Sequence, residues 1–136
     1  MCAFLSFSTD GSGQGEDVDR VREGVRIAQE LRPDLKIDGE FQADAAVNAR
    51  VGAKKVKRES SVAGHANVLI FPDAAACNIA TKLLQQFAHP RTYGPIIQGF
   101  RLPVVDCSRG DTEETVYNNI AVSSVLAAYN AAKQGR

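Results

Sequence analysis

The sequence predicts an α/β fold, a three-layer αβα arrangement around a largely parallel sheet. Strand-type and helix-type segments alternate along the whole chain, the pattern of successive β–α units. The run Val68–Phe71 (VLIF) is continuously apolar over strand length, as in strands covered on both faces. Glu16–Leu31 places Val18, Val21, Val25, Ala28 and Leu31 at helical spacing, one apolar face for a sheet to cover.

In chain order, Cys2–Ser8 reads as a buried strand that begins abruptly and so needs a neighbour on each side. Thr9–Gly15 (TDGSGQG) is a glycine-rich loop, and the helix Glu16–Leu31 that follows ends at Pro33. Strand, glycine loop and helix in that order raise a nucleotide-binding reading. Gly11, Gly13 and Gly15 do not give G-x-G-x-x-G, however, and no G-K-[ST] follows, so a turn-forming loop stands beside an anion- or cofactor-contacting one. Leu35–Phe41 is a second strand with a bend at Gly39, and Gln42–Val51 a short helix fading into a basic connection. Asp73 is the N-cap residue of a helix whose stripe of Cys77, Ile79, Ala80, Leu83, Leu84 and Phe87 faces a core; His89-Pro90 closes it. Tyr93–Phe100 is a short strand-like piece fenced by Gly94-Pro95 and Gly99. The last helix runs from Thr112 to about Lys133 and presents Val116, Ile120, Ala121, Ala127, Ala128 and Ala131.

Pro103–Thr115 (PVVDCSRGDTEET) is the stretch richest in chemistry. Val104, Val105 and Cys107 form an apolar strand, with Cys107 expected to be buried, and Ser108, Arg109 and Gly110 form the break. Asp111 and Glu114 give a capping-box spacing, so a helix begins at about Thr112. A hydroxyl and a guanidinium thus precede a helix N-terminus, whose unpaired N–H groups favour an anion such as phosphate. On local sequence alone, a solvated turn is the simpler account of them. In a parallel sheet ligands bind beyond the carboxyl ends of strands, which would put Thr9–Gly15, Pro72–Asn78 and Ser108–Gly110 on one rim.

Composition excludes several classes. The 136 residues suit one domain of ordinary globular composition, 44% apolar and 24% charged. Sixteen basic residues balance sixteen acidic ones, so nothing points to nucleic acid or a membrane surface. The basic cluster Lys54, Lys55, Lys57 and Arg58 reads as a solvated face. No apolar run reaches the ~18 residues of a membrane span, and there is no signal-peptide pattern, so a cytoplasmic location is the simplest expectation. Three widely spaced cysteines suit neither a disulfide framework nor a zinc site, and His65 and His89 sit in no ligand spacing.

LSFSTDGSGQG, DGEFQADAAV, NVLIFPDAAACN and GPIIQGFRLPV followed by SRG, in this order and at these distances, resemble the carboxy-terminal part of the phosphate acetyltransferases and their butyryl relatives. The resemblance implies a two-domain α/β family that moves an acetyl group between acetyl phosphate and coenzyme A, in a cleft between domains, without a metal and as a homodimer. It implies that residues 1–100 belong to an inserted α/β domain and that 101–136 return to the first domain. The chain would then be either a fragment of a longer polypeptide or a short reading frame. Ser108 matches the serine that contacts the coenzyme A thiol, and Arg109 the arginine that binds the acyl phosphate. Gly110, Ser12 and Gly13 are the accompanying coenzyme-contacting positions. Thr115 stands where family members commonly carry an aspartate acting as base. That departure leaves a second expectation open, a non-catalytic module that binds coenzyme A or acetyl-CoA or serves assembly, as in the related domains fused to malic enzymes.

Overall fold

The computed structural model describes residues 1–133, which divide into two compact units, Met1–Thr81 and a second beginning at Lys82. In the first unit β1 (Cys2–Leu5) is the central strand of a three-stranded parallel sheet. It pairs with β2 (Ile37–Phe41) on one side and β3 (Val68–Ile70) on the other, the two neighbours its abrupt start demands.

Helices cover both faces of β1. Alternation along a strand sends Phe4 to one face and Ala3 and Leu5 to the other. On the Phe4 face lies α1 (Glu16–Leu31), which buries Val18, Val21 and Val25; Gly24 lets it approach the Phe4 ring. On the other face Ala3, Leu5 and the fully buried Phe41 pack against Ala45 and Ala46 of α2 (Ala43–Val47), with Val56 and Val62. Burying a side chain such as Phe41 stabilises the unit by about 1.5–3 kcal/mol. Leu31, expected on the packed face, is 73% exposed, because the buried face of α1 stops at Val25.

The predicted helix Gln42–Val51 is two helices, α2 and α3 (Ala49–Lys55). Asn48 separates them in an extended conformation, and its Oδ1 accepts from the Arg50 and Val51 backbone N–H groups, capping α3. At Gly52 of α3 a Cβ would lie 2.8 Å from the Gly64 nitrogen, so only glycine lets the 63–64 backbone approach. The basic cluster is a solvated face only in part. Lys55 bonds Asp44 and Gln42, whereas Arg58 clamps Asp38 and Asp10 and lies over the Phe41 ring.

Two apolar patterns lack the cover they predict. Val68, Leu69 and Ile70 of β3 are all exposed, since β3 pairs only with β1 and the flanking helices contact β1 and β2. The stripe of α4 (Ala74–Ala88) is present but buries no residue; Leu83 is 52% and Phe87 82% exposed. Asp73 caps α4 through the Ala76 N–H, and His89, at φ 45°, ends it.

In the second unit β4 (Ile96–Ile97) and β5 (Val104–Val105) form an antiparallel pair separate from the parallel sheet, followed by α5 (Glu113–Lys133). The loop after β5 therefore follows a strand of this antiparallel pair and not, as expected, a strand of the parallel sheet. The alanine-rich face expected to be covered in α5 is largely exposed, Ile120 at 61%; the one fully buried side chain of the helix is Asn119.

Candidate active site

The turn after β5 is assembled by short-range polar bonds. The Ser108 N–H donates to Asp111 Oδ2 at 2.7 Å, and the Asp111 N–H donates to the Ser108 carbonyl at 3.0 Å. With its carboxylate engaged by Ser108, Asp111 leaves the capping position to its neighbour. Thr112 Oγ1 accepts from the Thr115 N–H at 3.2 Å, so α5 begins at Glu113 with Thr112 as N-cap. Thr115 is the third helical residue, its hydroxyl 3.1 Å from that of Thr112.

Asn119, one turn further along α5, holds the turn from below. Its Oδ1 accepts from the Gly94 N–H at 2.8 Å, and its Nδ2 donates to the Gly94 and Asp106 carbonyls, each at 3.3 Å. Every polar atom of a buried amide needs a partner, and these partners join the segment before β4 to the residue before Cys107. The Cys107 thiol lies 3.6 Å from Nδ2 and is exposed, contrary to the burial expected of it, because β5 ends two residues earlier.

An open cavity of about 610 Å³ lies at the N-terminus of α5 and brings together Ser108, Gly110 and Thr115 with Lys82, His89 and Arg91. Asp111 and Glu114 line it too, so its charge is mixed. Arg109 is exposed and makes no hydrogen bond or ion pair among the described residues. Lys82, on α4, donates from Nζ to Ser108 Oγ at 3.3 Å. Sequence reasoning missed Lys82, a single cation beside an apolar stripe, and Asn119, one of three asparagines in α5 with nothing in the sequence to set it apart.

Ser12 and Gly13 lie in the other unit, in a loop closed on itself. Ser12 Oγ accepts from the Thr9 N–H, and the Gly13 N–H donates to Ser8 Oγ at 2.9 Å. A Cβ at Gly13 would stand 2.8 Å from the Phe7 ring, so glycine is required for that closure. The anion this loop holds is the chain's own Glu40. Its carboxylate accepts from the Gly11 N–H at 2.9 Å, from Ser8 Oγ at 2.8 Å and from the Arg22 guanidinium at 2.9 and 3.1 Å. Glu40 is the residue skipped where the β1–β2 register shifts, and such irregularities re-aim side chains. Burial alone would raise its pKa, but Arg22, the Gly11 N–H and Ser8 outweigh that and hold it at about 2. Asp38 is likewise held low against its burial by Arg58, Ser60 and the Gly39 N–H.

Comparisons with known proteins place the chain in a family. The family described as Phosphate acetyl/butaryl transferase matches residues 1–124. The phosphate acetyltransferase of Clostridium acetobutylicum is 51% identical over 125 residues, 92% of this chain and 37% of the relative. That of Corynebacterium glutamicum is 46% identical over 125 residues, again 92% of this chain and 38% of the relative. A phosphotransacetylase from Streptococcus pyogenes superimposes with a TM-score of 0.86 at 44% identity, covering 94% of this chain and 39% of that one. A branched-chain phosphotransacylase from Enterococcus faecalis, 22% identical with a TM-score of 0.67, shares the fold. The chain thus spans under two-fifths of the length of these two curated relatives, and no described helix is long and apolar enough to cross a membrane. With a match over residues 1–124 of 136, the chain belongs to the phosphate acetyl/butaryl transferase family.

Proposed function

We propose that the chain carries the Ser108–Arg109 part of an acyltransferase site that moves an acetyl group between acetyl phosphate and coenzyme A. The observation that carries this reading is the gathering of Ser108, Gly110 and Thr115 around one cavity at the α5 N-terminus, in a chain of this family. In the forward reaction the coenzyme A sulfur bonds to the acetyl carbonyl carbon, and the carbon–oxygen bond to phosphate breaks. Phosphate leaves with the electron pair and the thiol proton passes to solvent. Arg109 binds the anionic acyl phosphate and, with the N–H groups at the α5 terminus, steadies the negative charge that develops on the carbonyl and leaving oxygens. Ser108 contacts the sulfur. Ser12 and Gly13 contribute to coenzyme A contact as a surface, since the N–H groups from Thr9 to Gly13 already have acceptors.

In this reading residues 1–100 are part of the family's inserted domain and 101–136 return to the first. The protein acts as a cytoplasmic homodimer without a required metal. Mixing acetyl phosphate with coenzyme A and following thioester formation tests the assignment. Arg109→Ala lowers the rate by about 10²- to 10³-fold, the cost of removing one charge-stabilising donor; unchanged turnover overturns it.

Thr115 favours a second reading. A threonine cannot take up the thiol proton near neutral pH, and its hydroxyl sits against Thr112 in the cap of α5. A module that binds coenzyme A without turning it over would show saturable binding by calorimetry and no thioester formation.

A further inference from the structure

We propose that Lys82 is a positioning residue that fixes Ser108 as a hydrogen-bond donor to the sulfur of the thiol substrate; this rests on the transferase reading of the site. A serine hydroxyl has one proton to give and two lone pairs to accept with. Ser108 Oγ accepts from Lys82 Nζ at 3.3 Å and from the Gly110 backbone N–H at 3.4 Å. Both lone pairs are therefore engaged, and the hydroxyl proton, which has no acceptor among the described residues, is what remains for a partner. Ser108 and Lys82 line the same cavity, so that partner is a molecule within it.

Two consequences separate this role from that of an ordinary turn serine. A serine with both lone pairs occupied is a poor nucleophile and a poor base, so Ser108 forms no acyl intermediate. An ammonium donating to a hydroxyl oxygen also draws electron density from the O–H bond, strengthening the bond that hydroxyl gives to an electron-rich atom. A thiolate sulfur gains most from such a donor, and the site has no carboxylate at Thr115 to remove the thiol proton. Whatever takes the thiol proton, the Lys82–Ser108 pair stabilises the thiolate that results.

The test compares binding of coenzyme A and of desulfo-coenzyme A, which lacks only the sulfur, by calorimetry at pH 8. The wild-type chain binds coenzyme A about tenfold more tightly than the desulfo compound, the worth of one charge-assisted hydrogen bond. Lys82→Met, which has no donor, loses that preference while its affinity for desulfo-coenzyme A is unchanged, and Lys82→Arg, which still donates, retains most of it. A preference in Lys82→Met equal to that of the wild type overturns the role of Lys82 and leaves the coenzyme A site standing. Failure of the wild type to bind either compound overturns both.

Discussion

Thr115 occupies the third position of α5, with its backbone N–H on Thr112 Oγ1, and this placement defines what a carboxylate would do there. An aspartate in the first turn complements the helix dipole by about 0.3–1 kcal/mol, so Thr115→Asp folds at least as stably as the wild type in thermal denaturation. If the transferase reading holds, the introduced base raises thioester formation by about 10²- to 10⁴-fold; a stable variant with no gain favours the binding-module reading. Glu40 makes a different prediction, in stability. Its carboxyl sits at about 2 against an ordinary 4.5, so the stabilisation is complete above pH 4.5 and is lost as pH falls toward 2. The difference amounts to at most about 3 kcal/mol, reduced by the solvent screening of the partly exposed Arg22. Glu40→Gln, measured by denaturant unfolding between pH 2 and 7, removes that acid dependence; an unchanged profile contradicts the network described. The departure at Thr115 was legible in the sequence, whereas the role of Glu40 was not. The glycine loop left an anion-contacting role open beside that of a plain turn and gave no sign that the chain supplies the anion, since the pairing of Glu40 with Gly11 depends on a register shift between strands more than thirty residues apart.

At the level of elements, legibility followed the length of the repeating pattern. Over the sixteen residues of α1 the apolar spacing repeats for four turns, and the helix lies where periodicity puts it. The start of α5 is off by one residue because Asp111 and Thr112 are both good caps, and only the Ser108 N–H decides between them. The two-residue strand β5 offered too little pattern to foretell that Cys107 would be exposed. Asn119 then performs in α5 the work that apolar periodicity assigned to alanines. Asn119→Ala leaves the Gly94 and Asp106 groups without their partner and costs about 1–3 kcal/mol. Faster hydrogen exchange at the Gly94 amide, with exchange in β1 unaltered, is the expected signature.

For the molecule as a whole, the α/β class and the central place of β1 follow from the alternation of segments and from an apolar strand that needed two neighbours. The uncovered faces of β3, α4 and α5 do not, because periodicity reports that a face is apolar and says nothing of what covers it. Exposed apolar residues in such number are what the proposed homodimer needs on its surface. Light scattering on the eluting peak is therefore expected to give a mass above the 14.6 kDa of one chain, and a strictly monomeric peak counts against the homodimer. The central claim is that the turn between β5 and α5 handles the substrates of the family reaction. Thioester formation from acetyl phosphate and coenzyme A by the wild-type chain and by Arg109→Ala tests it most directly. The account predicts turnover in the first and a loss of about 10²-fold or more in the second; equal rates in the two proteins would contradict it.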